Sequence, residues 1–202
     1  MANLRQTFSD IAAAIRAKGV SGTFKPIEMA SKIGEIRSLD GYGYLTFTAE
    51  EATTLTLKTN KSEPHKLLKS SDAVNWTKWE NPDTDAISLN AGESVYLKSY
   101  DETPPGTRGK SQLYFNNFSS TGKIKCYGDI RSIVRMIVPY DYRYWFEKLF
   151  YNFTTLTKAP ELPSTDIIDY CYHSMFEGCT SLTTAPELPA TTLYTYCYAY
   201  MF

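Results

Sequence analysis

The C-terminal third of the chain contains an internal repeat. The string APELP occupies residues 159–163 and returns at residues 185–189, and the string YCY at residues 170–172 returns at residues 196–198. Both pairs are separated by 26 positions, so one register relates the two copies. Units of this length bury their apolar edges only by stacking on one another. The sequence therefore predicts a solenoid with a 26-residue period over residues 131–202.

The repeat also resembles a known family. Residues 175–193, which read MFEGCTSLTTAPELPATTL, are similar to the leucine-rich repeats of the BspA-like class, found in bacterial surface proteins and in phage structural proteins. The resemblance covers about residues 145–202 and implies a leucine-rich-repeat solenoid. Such solenoids run through many copies and end in a cap, whereas residues 201–202 stand in mid-repeat. We therefore expect the repeat region to be incomplete.

Two apolar patterns of helical period stand at the N-terminus. They are separated by glycines, and Pro26 occupies a first helical position of the second pattern. The sequence predicts a helical hairpin over residues 1–40 that serves as an attachment module, the alternative being a helical cap on the following domain. The anchoring side chains would be Phe8, Ile11, Ile15, Met29 and Ile33. In residues 11–18 and 25–33 the hairpin resembles an N-terminal module of phage tail and minor virion proteins.

The central region changes to a period of two. Leu45 and Phe47 alternate with threonines, and similar short runs recur between turn signals with no helical pattern between them. Short strands joined by polar turns predict an antiparallel β-sandwich over residues 41–130, with Trp76 and Trp79 filling its core. The predicted fold class is thus a multidomain α+β protein with a helical hairpin, a β-sandwich and a leucine-rich-repeat solenoid.

Composition argues against several function classes. The 21 basic and 22 acidic residues give a net charge of -1, which provides no general attraction to nucleic acid or to an anionic membrane. We expect no nucleic-acid partner and no membrane insertion. The two histidines leave little material for acid–base catalysis, whereas 16 Tyr and 10 Phe give unusual weight to aromatic packing or aromatic contact surfaces.

The sequence contains no complete motif of a catalytic, metal or cofactor site. The GKS ending of residues 106–111 lacks the earlier glycine of a phosphate-binding loop, because Pro104 stands there. Cys171 and Cys197 share a repeat column with Trp145, so we interpret them as core thiols rather than metal ligands. A carbohydrate-active enzyme would need paired carboxylates, and no such pair is evident. We predict no enzymatic activity, no cofactor and no metal.

Positions that vary between repeat copies are the best candidates for partner contacts. The column of Tyr170 and Tyr196 is constant and is interpreted as framework. Variation on a fixed frame changes the binding face of a repeat protein without changing its fold. The candidate partner-binding residues chosen on this basis are Asp169, His173, Ser174, Tyr194 and Tyr200.

The two resemblances together imply a phage virion structural protein of the tail, fibre or baseplate region. Its N-terminal hairpin would bind other virion proteins, and its repeats would bind a host-surface protein or glycan or build the tail. We expect a homo-oligomer. The alternative is a BspA-like adhesin on the bacterial cell surface, but no export signal is evident at the N-terminus.

Overall fold

The described part of the chain is built mainly from β-strands and turns. The computed structural model describes residues 43–59, 67–99, 115–133, 146–165, 167 and 169–202. Within these ranges there are nine strands and one short 3-10 helix. In chain order they are β1 (Leu45–Ala49), β2 (Thr53–Thr59), β3 (Leu67–Ser70), β4 (Thr77–Trp79), β5 (Ile87–Leu89), β6 (Ser94–Ser99), β7 (Phe115–Ser120), β8 (Ile124–Tyr127), the 3-10 helix (Ile130–Ile133) and β9 (Leu156–Lys158).

The larger sheet has six strands in the order β4-β3-β6-β1-β8-β9. Strand β1 runs antiparallel to both β6 and β8, so Phe47 lies opposite Val95 on one side and Cys126 on the other. Leu45, Phe47 and Ala49 are buried, while the threonines between them are half-buried. This alternation is what a strand with one face on the core requires, and it confirms the period of two seen in the sequence.

The smaller sheet has the order β5-β2-β7, with both pairs antiparallel. Leu55 and Leu57 of β2 and Phe118 of β7 are fully buried. The rings of Phe118 and Phe47 lie 4.8 Å apart between centroids, so they join the two sheets. Burial of one such side chain contributes about 2–3 kcal/mol. Two sheets around a shared apolar core are compatible with the predicted β-sandwich.

The two tryptophans expected in the core occupy different environments. Trp79 is 1% exposed, and its indole N–H donates to the carbonyl of Asp85 at 2.6 Å. Trp76 is half-buried, with its ring edge-on to Tyr44 and the Lys98 ammonium 3.9 Å from its centroid. The core placement is confirmed for Trp79 and wrong for Trp76. An odd spacing of three residues turns the two side chains to opposite faces of extended chain.

The C-terminal region is a series of tight turns. In each of the three repeat copies, residues with positive φ lie four positions apart. These residues are Lys148 and Asn152, then Tyr170, Ser174 and Gly178, then Tyr196 and Tyr200. A left-handed residue interrupts both an α-helix and a β-strand. The chain therefore turns every four residues, although apolar side chains at Phe146, Leu149 and Phe150 keep a helix-like spacing.

The predicted fold class, a multidomain α+β protein with a helical hairpin and a leucine-rich-repeat solenoid, is wrong. The described residues form two β-sheets, and their single helical element is the four-residue 3-10 helix. A leucine-rich repeat contributes one strand per unit to a sheet that runs along the stack. Among the described residues after 133, only β9 is a strand, and it pairs with β8 of the larger sheet. The recurring left-handed residues explain why the repeats form turns instead.

Two predictions of the domain organisation are not tested by these elements. The hairpin over residues 1–40, with its anchor residues Phe8, Ile11, Ile15, Met29 and Ile33, lies outside the described residues. The boundaries at residues 40 and 130 stay predictions. Buried side chains of the two sheets and of the C-terminal turns belong to one continuous core cluster, in which Phe47 and Phe150 have ring centroids 6.3 Å apart.

The turn at Gly178 provides a test of the C-terminal geometry. Its φ is 77°, and a Cβ at this position would overlap the side-chain oxygen of Asn152. We expect Gly178→Ala to lower the free energy of unfolding by about 2–4 kcal/mol, since the overlap adds to the cost of a left-handed alanine. Gly92 has φ 83° with open space around it, so Gly92→Ala should cost only about 1 kcal/mol. Equal losses for both variants in urea denaturation would contradict this assignment.

Candidate functional site

Three successive layers of turns stack on one another in the C-terminal region. The first layer is residues 146–153, the second is residues 170–179 and the third is residues 195–202. Four backbone hydrogen bonds join the first layer to the second and four join the second to the third, with N···O distances of 2.8–3.0 Å. In every one of these bonds the N–H donates to a carbonyl 25 positions later. The bonds therefore all point the same way along the stack.

Aromatic rings form columns across these layers. Phe150 stacks on Phe176 at 5.3 Å between ring centroids, and Phe176 stacks on Phe202 at 5.9 Å. A second column joins Tyr172 to Tyr198 at 5.7 Å with an interplanar angle of 7°. Aromatic pairs at such distances add about 0.5–1.5 kcal/mol each to the burial of their area. The columns hold adjacent layers in one register.

The first layer rests on the β-sandwich. The backbone N–H of Phe118 in β7 donates to the carbonyl of Leu149 at 2.8 Å, and the side-chain amide of Asn117 donates to the carbonyl of Tyr151 at 2.9 Å. The Phe118 ring stacks on Phe150 at 5.7 Å. Strand β7 thus donates hydrogen bonds to first-layer carbonyls, just as the N–H groups of each layer donate to carbonyls of the next layer. The β-sandwich is therefore the base of the stack.

Exposed apolar side chains concentrate at the opposite end of the stack. Tyr194 and Tyr196 are each 53% exposed and Tyr200 is 68% exposed. We call these three residues the tyrosine surface. Leu193 and Phe202 beside them in the sequence are also exposed. Monomeric proteins seldom leave a cluster of large apolar side chains in water unless it meets a partner. Tyrosine suits such a surface because its ring supplies apolar area and its hydroxyl forms hydrogen bonds.

The structure brings three further predicted contact residues close to this surface. The His173 ring meets those of Tyr196 and Tyr200 edge-on, with centroids 6.3 and 5.8 Å apart. Asp169 accepts a hydrogen bond from the backbone N–H of Thr195 at 3.0 Å, so its carboxylate holds the third layer in place. Ser174 is only 2% exposed, and we leave it out of the candidate surface. Tyr194 and Tyr200 are exposed, and their contact role stays a prediction.

His173 also lies beside an acidic group. Its Nδ1 is 3.3 Å from Oε1 of Glu147 in the layer below, and both side chains are mostly buried, with 18% and 23% of their surface exposed. The pair crosses between layers in the opposite sense to the backbone bonds, since the accepting carboxylate lies in the first layer and the imidazole in the second. A protonated imidazole would be attracted to the carboxylate across the layer boundary. No third group that could complete a catalytic constellation is evident among the described residues around it.

The sequence reasoning did not select Tyr196 or Phe202 as contact residues. Tyr196 was assigned to the framework because its column is constant, and Tyr170 below it is indeed half-buried, with the two rings 5.1 Å apart. Tyr196 has no layer above it among the described residues and is therefore exposed. The signal that could have identified both residues is their place in the last copy of each column.

The four cysteines of the described residues have buried side chains. Cys126, Cys171, Cys179 and Cys197 are all buried, and no disulfide joins any two of them. Burial raises the pKa of Cys179 to about 11, and its S–H donates to the carbonyl of Phe150 at 3.0 Å. Burial also raises the pKa of Cys126. The interpretation of Cys171 and Cys197 as core thiols agrees with their exposures of 7% and 3%.

The described ranges contain neither a metal-binding cluster nor a membrane-spanning helix. No group of three or more His, Cys, Asp or Glu side chains there could hold a metal ion. No helix in the same ranges is long and apolar enough to span a bilayer. The GKS segment of residues 106–111 lies outside them.

Comparison with known proteins found no matching family model, no matching curated protein and no matching solved structure. The likenesses to BspA-like repeats and to a phage tail module therefore depend on the quoted strings alone and stay predictions.

Alkylation tests the assignment of the thiols. At pH 8 a pKa of about 11 leaves about one Cys179 in a thousand as thiolate, against about a quarter of unperturbed thiols. We expect iodoacetamide to leave all four cysteines of the folded protein largely unmodified for an hour, and to modify all four within minutes in urea. Intact-mass spectrometry counts the adducts. Rapid labelling of Cys171 or Cys197 in the folded protein would show that these side chains are accessible.

Proposed function

We propose that the protein is a structural component of a phage virion, located in the tail, fibre or baseplate region. In this role it binds a host-surface protein or glycan through the tyrosine surface. The observation that carries the binding role is the concentration of exposed aromatic side chains on the third layer, with Tyr200 at 68% exposure. The virion assignment is supported by the resemblances in residues 11–18, 25–33 and 145–202.

The rigidity beneath the tyrosine surface supports a binding role. Tyr196 stacks on Tyr170 at 5.1 Å, and backbone hydrogen bonds join the two layers that carry these rings. A surface held in one conformation loses little side-chain entropy when it binds a partner. Each tyrosine can then offer a ring face to a sugar or an apolar side chain and a hydroxyl to a polar group.

The chemistry of the surroundings favours binding over catalysis. His173 is paired with Glu147, and Asp169 is engaged with the backbone of Thr195. A hydrolase would need a nucleophile or a pair of carboxylates flanking a cleft. The described residues provide exposed rings in their place, so we expect no new reducing ends when the protein is incubated with host polysaccharide.

The proposal includes an anchor and several copies. The N-terminal segment, with the apolar residues Phe8, Ile11 and Ile15, would attach the chain to other virion proteins. Oligomerisation would place several tyrosine surfaces side by side. Several weak contacts made together increase the overall affinity far above that of one contact.

A double variant tests the binding role. We expect Tyr194→Ala with Tyr200→Ala to weaken binding of the protein to host cells about tenfold or more, because each lost aromatic contact removes about 1 kcal/mol or more. Binding is measured by flow cytometry with the fluorescently labelled protein. The melting temperature should change little, since both side chains are more than half exposed.

Tyr96→Ala is the matched control. Tyr96 is half-buried on β6, remote in the fold from the third layer, and its removal should leave host binding unchanged. Unchanged binding by the double variant would contradict the tyrosine surface. The virion location is tested separately by immunogold labelling, and labelling of uninfected cells in place of particles would contradict it.

A further inference from the structure

Two cysteines occupy equivalent positions in adjacent layers of the stack. Cys171 belongs to the second layer and Cys197 to the third, 26 positions later in the chain. Both side chains are buried. The repeat therefore places two thiols in one column, inside the core and between the layers that carry them.

The backbone sets the separation of this pair. The N–H of Tyr170 donates to the carbonyl of Thr195 at 2.9 Å, and the N–H of Tyr172 donates to the carbonyl of Cys197 at 3.0 Å. These bonds lie on either side of Cys171, so the two layers are paired at the cysteine column. Backbones joined by such ladders lie about 4.7–4.9 Å apart, and a disulfide joins residues whose Cα atoms are about 4.4–6.8 Å apart. The pair therefore meets the distance requirement of a disulfide.

The surroundings of the pair agree with this spacing. The stacked tyrosine rings that flank the cysteine column in the sequence have centroid separations of 5.1 and 5.7 Å. Both thiols also lie close to one phenol, since burial and the neighbouring thiols of Cys197 and Cys171 raise the pKa of Tyr198. The two side chains thus share a column and converge on the same hydroxyl group.

We propose that Cys171 and Cys197 form an oxidation site, at which a disulfide joins the second layer to the third. In the structure both cysteines are reduced. A low-molecular-weight disulfide such as oxidised glutathione is the oxidant. One protein thiolate attacks a glutathione sulfur and releases one reduced glutathione, and the second thiolate attacks the mixed disulfide and releases the other. The two thiol protons and two electrons of the protein pass to the two glutathione molecules.

The remaining two cysteines lack a neighbouring thiol of this kind. Cys126 lies on β8 in the larger sheet, opposite Phe47 of β1. The S–H of Cys179 donates to the carbonyl of Phe150 at 3.0 Å, and the equivalent residue of the first layer is Phe153. The repeat geometry therefore selects a single pair from the four cysteines of the chain.

The disulfide would act on the layer that carries the tyrosine surface. Tyr196 and Tyr200 lie in the third layer, on either side of the column that contains Cys197 and Tyr198. A cross-link restricts the conformations that are open to the chain when the third layer separates from the second, so that separation becomes rarer. The inference depends on the stacking of the two layers and is independent of the virion role.

Refolding in a redox buffer tests the pairing. The full chain is unfolded in urea, refolded in a mixture of reduced and oxidised glutathione, and then alkylated in urea so that the remaining thiols can be counted by mass. We expect one disulfide and two remaining thiols, with Cys171 joined to Cys197 in a peptide map made without reductant. A refolded chain that keeps all four thiols, or that joins another pair, would overturn the proposal.

Three variants check that the native column directs the bond. Cys197→Ala should abolish the disulfide, whereas Cys126→Ala and Cys179→Ala should retain it, because each removes a buried thiol from elsewhere in the core. The two controls lie in different elements, so the test survives the failure of one of them to fold. Absence of the Cys171–Cys197 bond from every folded control would contradict the assignment.

Hydrogen exchange measures the effect of the bond on the third layer. The amides of Tyr170 and Tyr172, which donate to that layer, should exchange about tenfold or more slowly in the cross-linked chain than in the reduced chain. Amides of β1 in the larger sheet should change much less. Equal exchange at Tyr170 and Tyr172 in the two forms would show that the disulfide does not hold the layers together.

Discussion

One column of phenylalanine rings connects the β-sandwich to the end of the stack. Phe118 of β7 stacks on Phe150, Phe150 on Phe176 and Phe176 on Phe202, with centroid separations between 5.3 and 5.9 Å. Phe47 meets the first two of these rings from the larger sheet. Because the column extends from the two sheets into the turns, packing against the β-sandwich fixes the orientation of the layers. The position of the tyrosine surface follows from it.

The left-handed residues give this column its spacing. A positive φ at every fourth position brings the chain around so that Phe150 and Phe176 occupy equivalent corners of successive layers. The same backbone conformation places the N–H groups that donate between layers on one side of each layer and the accepting carbonyls on the other side. A regular strand alternates both kinds of group on both edges. Each described layer therefore has two unlike faces, one with accepting carbonyls, as the first layer shows toward β7, and one with donating N–H groups.

The sequence predicted the strands better than the layers for a physical reason. The alternation of apolar and polar residues at Leu45 and Phe47 depends only on which face of the strand is buried, so it can be read directly from the sequence. The layers depend on backbone conformation at Lys148, Tyr170 and Ser174, which are residues with no special tolerance for positive φ. Their conformation is imposed by stacking on neighbouring layers. A repeat of 26 residues therefore indicated stacking, while the leucine-rich-repeat geometry assigned to it was wrong.

The candidate site was partly predictable for a related reason. Variation between copies identified Tyr194 and Tyr200, but the same reasoning chose Ser174, whose column is exposed in the third layer and buried in the second. The exposure of a side chain in a stack depends on whether another layer covers it. The alignment of equivalent positions in the repeat copies does not contain that information. Phe202 illustrates the same point, because it repeats Phe176 and differs from it only in position.

The third layer is held from one side only, which links its order to its binding. The second layer has hydrogen bonds and ring contacts on both faces, whereas among the described residues the third has them on the face toward Tyr172 and Phe176. Local stability falls where such contacts are fewer, so the third layer should open before the layers below it. A ligand that binds only the ordered form stabilises that form by mass action. A partner bound to the tyrosine surface would therefore also stabilise the ordered arrangement of Tyr196 and Tyr200.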